Sequence, residues 1–269
     1  MKTILALFIF LQSFALFASK VDTLVVYSNS MQKEIKNTVI LPDSYNSEGK
    51  EFSVLYLLHG AGADYRTWAK YYPEIKDFAD NYNFIIVCPD GGKTSWYFDS
   101  PIDSSYQYET YVSKELVEKI DQSYNTSKKR EARAIMGLSM GGHGAFYLAG
   151  RHPDIWSAAI SSSGGLDIRP FPNKWDIAKR IGSIKDYPGN WEKNTVINMT
   201  HLLEAGNIKL FFDCGTDDFF YQVNKNLHEK LLSMKVPHTY IEMPGGHSRA
   251  YWKNSIQYNF TFLNIHFNQ

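Results

Sequence analysis

The stretch AIMGLSMGGHGAF, residues 134–146, sets Ser139 in a G-x-S-x-G pattern between Gly137 and Gly141. A serine hydroxyl is a poor nucleophile at neutral pH unless a histidine takes its proton and an acid orients that histidine. The pattern becomes evidence for such chemistry where it joins a strand to a helix, because the sharp turn there lifts the hydroxyl clear of the sheet. Here the apolar run RAIMGLS (133–139) precedes the turn and a helical stretch of small residues (140–150) follows it. Glycine inside an element costs about 0.5–1 kcal/mol relative to alanine, so each one needs a reason. At Gly137 and Gly141 the reason is steric: neighbouring backbone must pass close to the turn. Gly142 and Gly144 suit close packing of the helix on the sheet. The backbone N–H of Met140 opens that helix and is aimed to stabilise a developing oxyanion.

The serine's partners are expected in the order acid, then histidine, each just after a later strand. YIEMPGGHSRAYW (240–252) supplies His247, which follows two glycines and so lies in a turn. KLFFDCGTDDFF (209–220) supplies the acid, with Asp213 inside the strand run and Asp217 and Asp218 beyond it. Spacing does not choose between the last two. In LYLLHGAGADYRTW (55–68) the strand ends at His59-Gly60, and the next N–H, that of Ala61, is the candidate second oxyanion donor. His59 precedes the nucleophile, the wrong order for a base, and reads as a structural hydrogen-bonding residue. His143, on the helix, reads as packing. No histidine pair sits at ligand spacing with a carboxylate on a helix, so neither metal nor cofactor is expected.

Eight β-rich runs must position these groups: 23–28, 35–42, 53–60, 84–91, 133–139, 157–164, 208–215 and 238–245. From the third onward they are nearly continuous apolar stretches, the mark of strands covered on both faces. The first two alternate and read as an antiparallel hairpin at one edge. Helical stretches at 67–82, 109–124, 140–150, 221–235 and 249–262 separate the later strands. This alternation predicts one α/β domain over 20–269, a mostly parallel central sheet with helices on both faces. Residues 166–207 are too long for a plain crossover; they read either as surface helices or as a cap beside the site.

The whole chain constrains function further. Its 28 Lys and Arg balance 28 Asp and Glu, which argues against nucleic acid or an anionic membrane as the main partner. Aromatic residues make up 15% of the chain, consistent with sugar- or ring-binding surfaces and with an aromatic core alike. MKTILALFIFLQSFALFASK at the N-terminus has the plan of a secretory signal peptide over 1–19, predicting a secreted or periplasmic protein with no stable membrane anchor. Cys88 and Cys214 end apolar runs and read as buried small hydrophobes.

Five segments in order, YLLHGAGADYRTW, CPDGGKTSWYFDSP, AIMGLSMGGHGAFYLAGRHPDIWSAAISSSG, CGTDDFFYQVN and PGGHSRAYW, resemble the esterase D family of α/β-hydrolases. The resemblance runs from about residue 35 to the C-terminus. It implies the α/β-hydrolase fold with Ser139 as nucleophile, His247 as base, and Asp218 preferred to Asp217 as acid. It also implies Ala61 and Met140 as the oxyanion amides, and Trp96 and Tyr97, in the SWY segment, as substrate-pocket residues. The family includes S-formylglutathione hydrolases, tributyrin, feruloyl and acetyl xylan esterases, and mycolyltransferases. Together with the signal peptide, the resemblance implies a secreted serine carboxylesterase for short-chain or carbohydrate-linked acyl esters, small-molecule or polysaccharide. An acyltransferase, an S-formylglutathione hydrolase-like thioesterase and a non-catalytic carbohydrate-binding protein are the alternatives.

Overall fold

The computed structural model describes residues 20–45 and 48–268, so the signal-peptide segment lies outside the described residues. Eight strands form one sheet: β1 (Lys20–Ser28), β2 (Lys33–Leu41), β3 (Ser53–Leu58), β4 (Phe84–Pro89), β5 (Arg133–Leu138), β6 (Ala158–Ser162), β7 (Lys209–Gly215) and β8 (His238–Met243). Their spatial order is β1-β2-β4-β3-β5-β6-β7-β8. The β1–β2 hairpin joins antiparallel to β4 at one edge, and every later pairing is parallel. This is the α/β-hydrolase arrangement that the sequence implies.

The apolar runs bury as their pattern requires. Every residue of β4, β5 and β6 is buried. Successive side chains of β3 serve opposite faces. Val54, Tyr56 and Leu58 enter the core beneath the helix Met140–Arg151. Leu55 and Leu57 enter the one beneath the C-terminal helix Arg249–Phe267, where Phe78 and Phe260 stack 4.4 Å apart. Edge strand β8 is only half-buried. Cys88 and Cys214 are buried free thiols.

The helical stretch expected at 67–82 is two helices, Thr67–Tyr71 and Ile75–Tyr82. Pro73 lies between them; it has no N–H to give the ladder and forces the preceding residue out of the α region, as at Tyr72 (φ −133°, ψ 64°). The segment 166–207 holds the short helices Ile177–Ile181, Pro188–Lys193 and Thr200–Ala205. It is tied to the helix Met140–Arg151 through Asn194, whose backbone carbonyl accepts from His143 Nε2–H and whose Oδ1 accepts from the Tyr147 hydroxyl, each at 2.9 Å, and Trp191 is fully buried.

Strand order dictates where a site can form. The chain passes from β3 to β4 on one side, then crosses back to β5 on the other, and at such a reversal a crevice opens at the C-terminal strand ends. There Leu58 of β3 pairs with Gly137 of β5, so the loop starting at His59 and the turn at Ser139 emerge side by side.

Candidate active site

Ser139 joins β5 to the helix Met140–Arg151 with φ +57° and ψ −118°, a conformation L-residues rarely adopt. The backbone packing that holds it there explains two glycines. A Cβ on Gly137 would run into the Gly141 carbonyl, and one on Gly141 would lie 2.5 Å from the Leu58 oxygen. Gly142 abuts Ser161 and Gly164 at the end of β6, whereas Gly144 makes room mainly for the Tyr97 ring. The Ser139 N–H donates to the Ser162 carbonyl at 2.9 Å, fixing the turn to β6.

The turn after β8 brings His247 to the serine: Nε2 lies 2.9 Å from Ser139 Oγ. On the other side of the ring, Nδ1 lies 2.8 Å and 3.1 Å from the Asp218 carboxylate oxygens. Two acceptor oxygens at Nδ1 place the proton there, which leaves Nε2 free to accept from the serine hydroxyl. Asp218 is buried, and the Phe220 N–H donates to its Oδ1 at 2.8 Å. Asp217 is exposed, and its N–H donates to the Gly245 carbonyl at 2.9 Å. The structure therefore gathers Ser139, His247 and Asp218, and leaves Asp217 outside.

Ala61 and Met140 flank the serine on the other side. The Ala61 N–H makes no hydrogen bond among the described residues. Met140 is the first residue of its helix, where no preceding turn supplies a carbonyl for its N–H. His59 secures this loop: its Nε2 accepts from the Gly91 N–H at 2.8 Å, and its Nδ1–H donates to the Gly60 carbonyl at 2.8 Å. His143 is wholly buried, and burial pulls its pKa down to about 4, so it is neutral and donates Nε2–H to the Asn194 carbonyl at 2.9 Å.

Trp96 and Tyr97 occupy different places from the pocket lining that the SWY resemblance implies. Both adopt left-handed backbone and both are buried. Tyr97 donates its hydroxyl to the His59 carbonyl at 3.1 Å, and Trp96 donates Nε1–H to the Trp175 carbonyl at 3.1 Å. They brace the site from behind. The open aromatic surface beside it belongs to residues that the motifs did not single out. Phe219 is half-exposed, lies 4.2 Å from the His247 ring and stacks on Trp175 at 5.4 Å. Trp252 meets the imidazole edge-on at 4.8 Å and donates to Ser163 Oγ. The only sequence signal for Phe219 was its position immediately after the acid. Trp175 had none beyond its place in the 166–207 segment.

Beneath the site, Asp213 of β7 is buried and accepts from Ser162 Oγ at 2.7 Å, and Asn259 of the C-terminal helix donates to the same hydroxyl at 2.8 Å. Burial pushes the Asp213 carboxyl up to about 6. With the folded pKa above the unfolded one, this acid stabilises most below about pH 4 and loses that contribution as pH rises through 6. Asp213→Asn should therefore gain on wild type between pH 4.5 and 7.5, on the order of 1–2 kcal/mol. Urea unfolding of both proteins at the two pH values reads the difference, and a pH-independent gap would contradict it.

Residues 28–263 match the Esterase family model. An esterase of Mycobacterium tuberculosis is 30% identical over 237 residues, which cover 78% of this chain and 51% of that protein. The chain thus spans about half the length of that relative. An acetyl esterase of Caldicellulosiruptor saccharolyticus is 27% identical over 257 residues, covering 88% of this chain and 95% of that enzyme. Among solved structures, the fluorophosphonate-binding serine hydrolase F of Staphylococcus aureus superposes with a TM-score of 0.81 at 26% identity, covering 92% of this chain and 99% of the other.

Proposed function

Because the chain belongs to the Esterase family, we propose that it is a carboxylic ester hydrolase in which Ser139, His247 and Asp218 perform the chemistry on short-chain or carbohydrate-linked acyl esters. The observation that carries this reading is the single imidazole bridging Ser139 Oγ at 2.9 Å and the Asp218 carboxylate at 2.8 Å. Ser139 attacks the ester carbonyl while His247 Nε2 takes the hydroxyl proton. The carbonyl oxygen, now negative, turns toward the Ala61 and Met140 amides. Collapse expels the alcohol, which receives the proton from His247 and leaves an acyl-enzyme. Water, deprotonated by the same nitrogen, releases the acid. Asp218 holds the tautomer and stabilises the transient imidazolium.

The half-exposed Phe219, stacked on Trp175 of the 166–207 segment, supports a cap role for that segment, with an apolar or ring-shaped group held against it. The acetyl esterase relative favours a small acyl group. The signal-type N-terminus favours a substrate met outside the cytoplasm, and N-terminal sequencing of exported protein should start near residue 19 or 20. A panel of acetylated xylan, methyl ferulate, tributyrin and S-formylglutathione tests the substrate class. Oxygen esters should exceed S-formylglutathione in kcat/KM, and the opposite order would replace this reading with the thioesterase one.

A further inference from the structure

A cleft of about 480 Å³ opens between the loop after β3 and the start of the C-terminal helix, and it meets the site at Ala61. Ala61 lines it on one side and Arg249, two residues past His247, on the other. Its charged lining is Asp64, Arg66, Lys70 and Arg249, three cations against one carboxylate. Asp64 is already engaged, since Arg66 Nε donates to it at 3.1 Å. Lys70 and Arg249 have no carboxylate partner among the described residues. Both converge on Tyr71 instead: the Arg249 guanidinium lies 3.7 Å from the ring centroid and the Lys70 ammonium 5.0 Å. Stacking occupies the guanidinium's face and fixes its plane. Its edge, a fork of N–H donors that matches a carboxylate, remains for a ligand. Phe219, Trp175 and Trp252 do not line this cleft, so the aromatic surface beside His247 and the cationic cleft are separate.

We propose that this cleft is a subsite for a carboxylate on the ester substrate, held by Arg249 and Lys70 while the carbonyl sits at Ser139. The inference rests on the esterase reading and narrows it to acidic esters, such as acyl groups on a uronic-acid-bearing sugar. Two matched pairs test it. One is 4-acetoxybenzoate against its methyl ester, and the other is the mono-4-nitrophenyl ester of adipic acid against the corresponding methyl diester. Each rate is divided by its alkaline hydrolysis rate. Wild type should favour the free carboxylate in at least one pair, which also tells whether the group sits on the alcohol or the acyl half. In Arg249→Gln and in Lys70→Gln the anionic-to-neutral ratio of kcat/KM should fall about fivefold, and about 0.5 M salt should lower it likewise in wild type. Arg249→Lys should retain part of the preference. If neutral esters are turned over but the ratio is the same in wild type and both glutamine variants, the subsite is overturned and the esterase reading stands. If none of the four esters is cleaved, both fall.

Discussion

Ser139→Ala should lower kcat on p-nitrophenyl acetate by on the order of 10⁴- to 10⁶-fold, with the protein still folded. The change removes one oxygen, the atom 2.9 Å from His247 Nε2. Alanine and serine meet the same strain at φ +57°, and the backbone bond from Ser139 N–H to Ser162 is untouched. The melting temperature should therefore move little, which separates lost chemistry from lost structure. A fluorophosphonate probe should label wild type and fail on the variant. Turnover above about 1% of wild type would remove Ser139 from the mechanism, since triad serines in other hydrolases leave far less.

Asp218→Asn should cost on the order of 10⁴-fold in kcat near neutral pH, while Asp217→Asn stays within about twofold. The difference follows from the tautomer. Asp218 offers only acceptors to Nδ1 and so keeps the proton there. An asparagine turns an N–H toward Nδ1, the proton shifts to Nε2, and the ring can no longer accept from the serine. The Phe220 N–H still finds an oxygen in the amide, so the loop should keep its shape. Asp217 has an exposed side chain and contributes only its backbone to the Gly245 turn. Equal losses in the two variants would mean that the loop, and not one carboxylate, matters.

Much of the site was legible because its constraints are local. G-x-S-x-G at a strand–helix junction demands small residues on both sides of a strained turn, and that demand is written within five positions of Ser139. His247 was legible for a similar reason: a histidine after paired glycines lies in a turn, and chain order limits which strand end delivers it. His59 could be set aside by order alone, and its two nitrogens are indeed spent on Gly91 and Gly60.

The places where the motifs misled are those where one neighbour in space reverses a sequence reading. Trp96 and Tyr97 sit in a segment that looks like pocket lining, yet Gly91 and Gly144 leave just the room into which the Tyr97 ring folds. Nothing near residue 97 announces a partner at residue 144. Phe219 and Trp175 form the open aromatic surface because a segment of irregular chain returns to the site more than forty residues before the acid. Lys70 and Arg249 share Tyr71 across a cleft that only strand order creates.

Periodicity and turn sterics act over a few residues, so the strand–helix alternation, the parallel sheet, the nucleophile turn and the base can be read from the residues in order. Spacing left Asp217 and Asp218 level and the family resemblance favoured Asp218; the fold shows why, since a tight loop turns Asp218 inward to the imidazole and Asp217 outward. Only packing decided which aromatics are buried and which are open, and that Lys70 and Arg249 meet at Tyr71 in a cleft that Ala61 also lines. Those are contacts between residues far apart in the chain, and packing, not spacing, sets them.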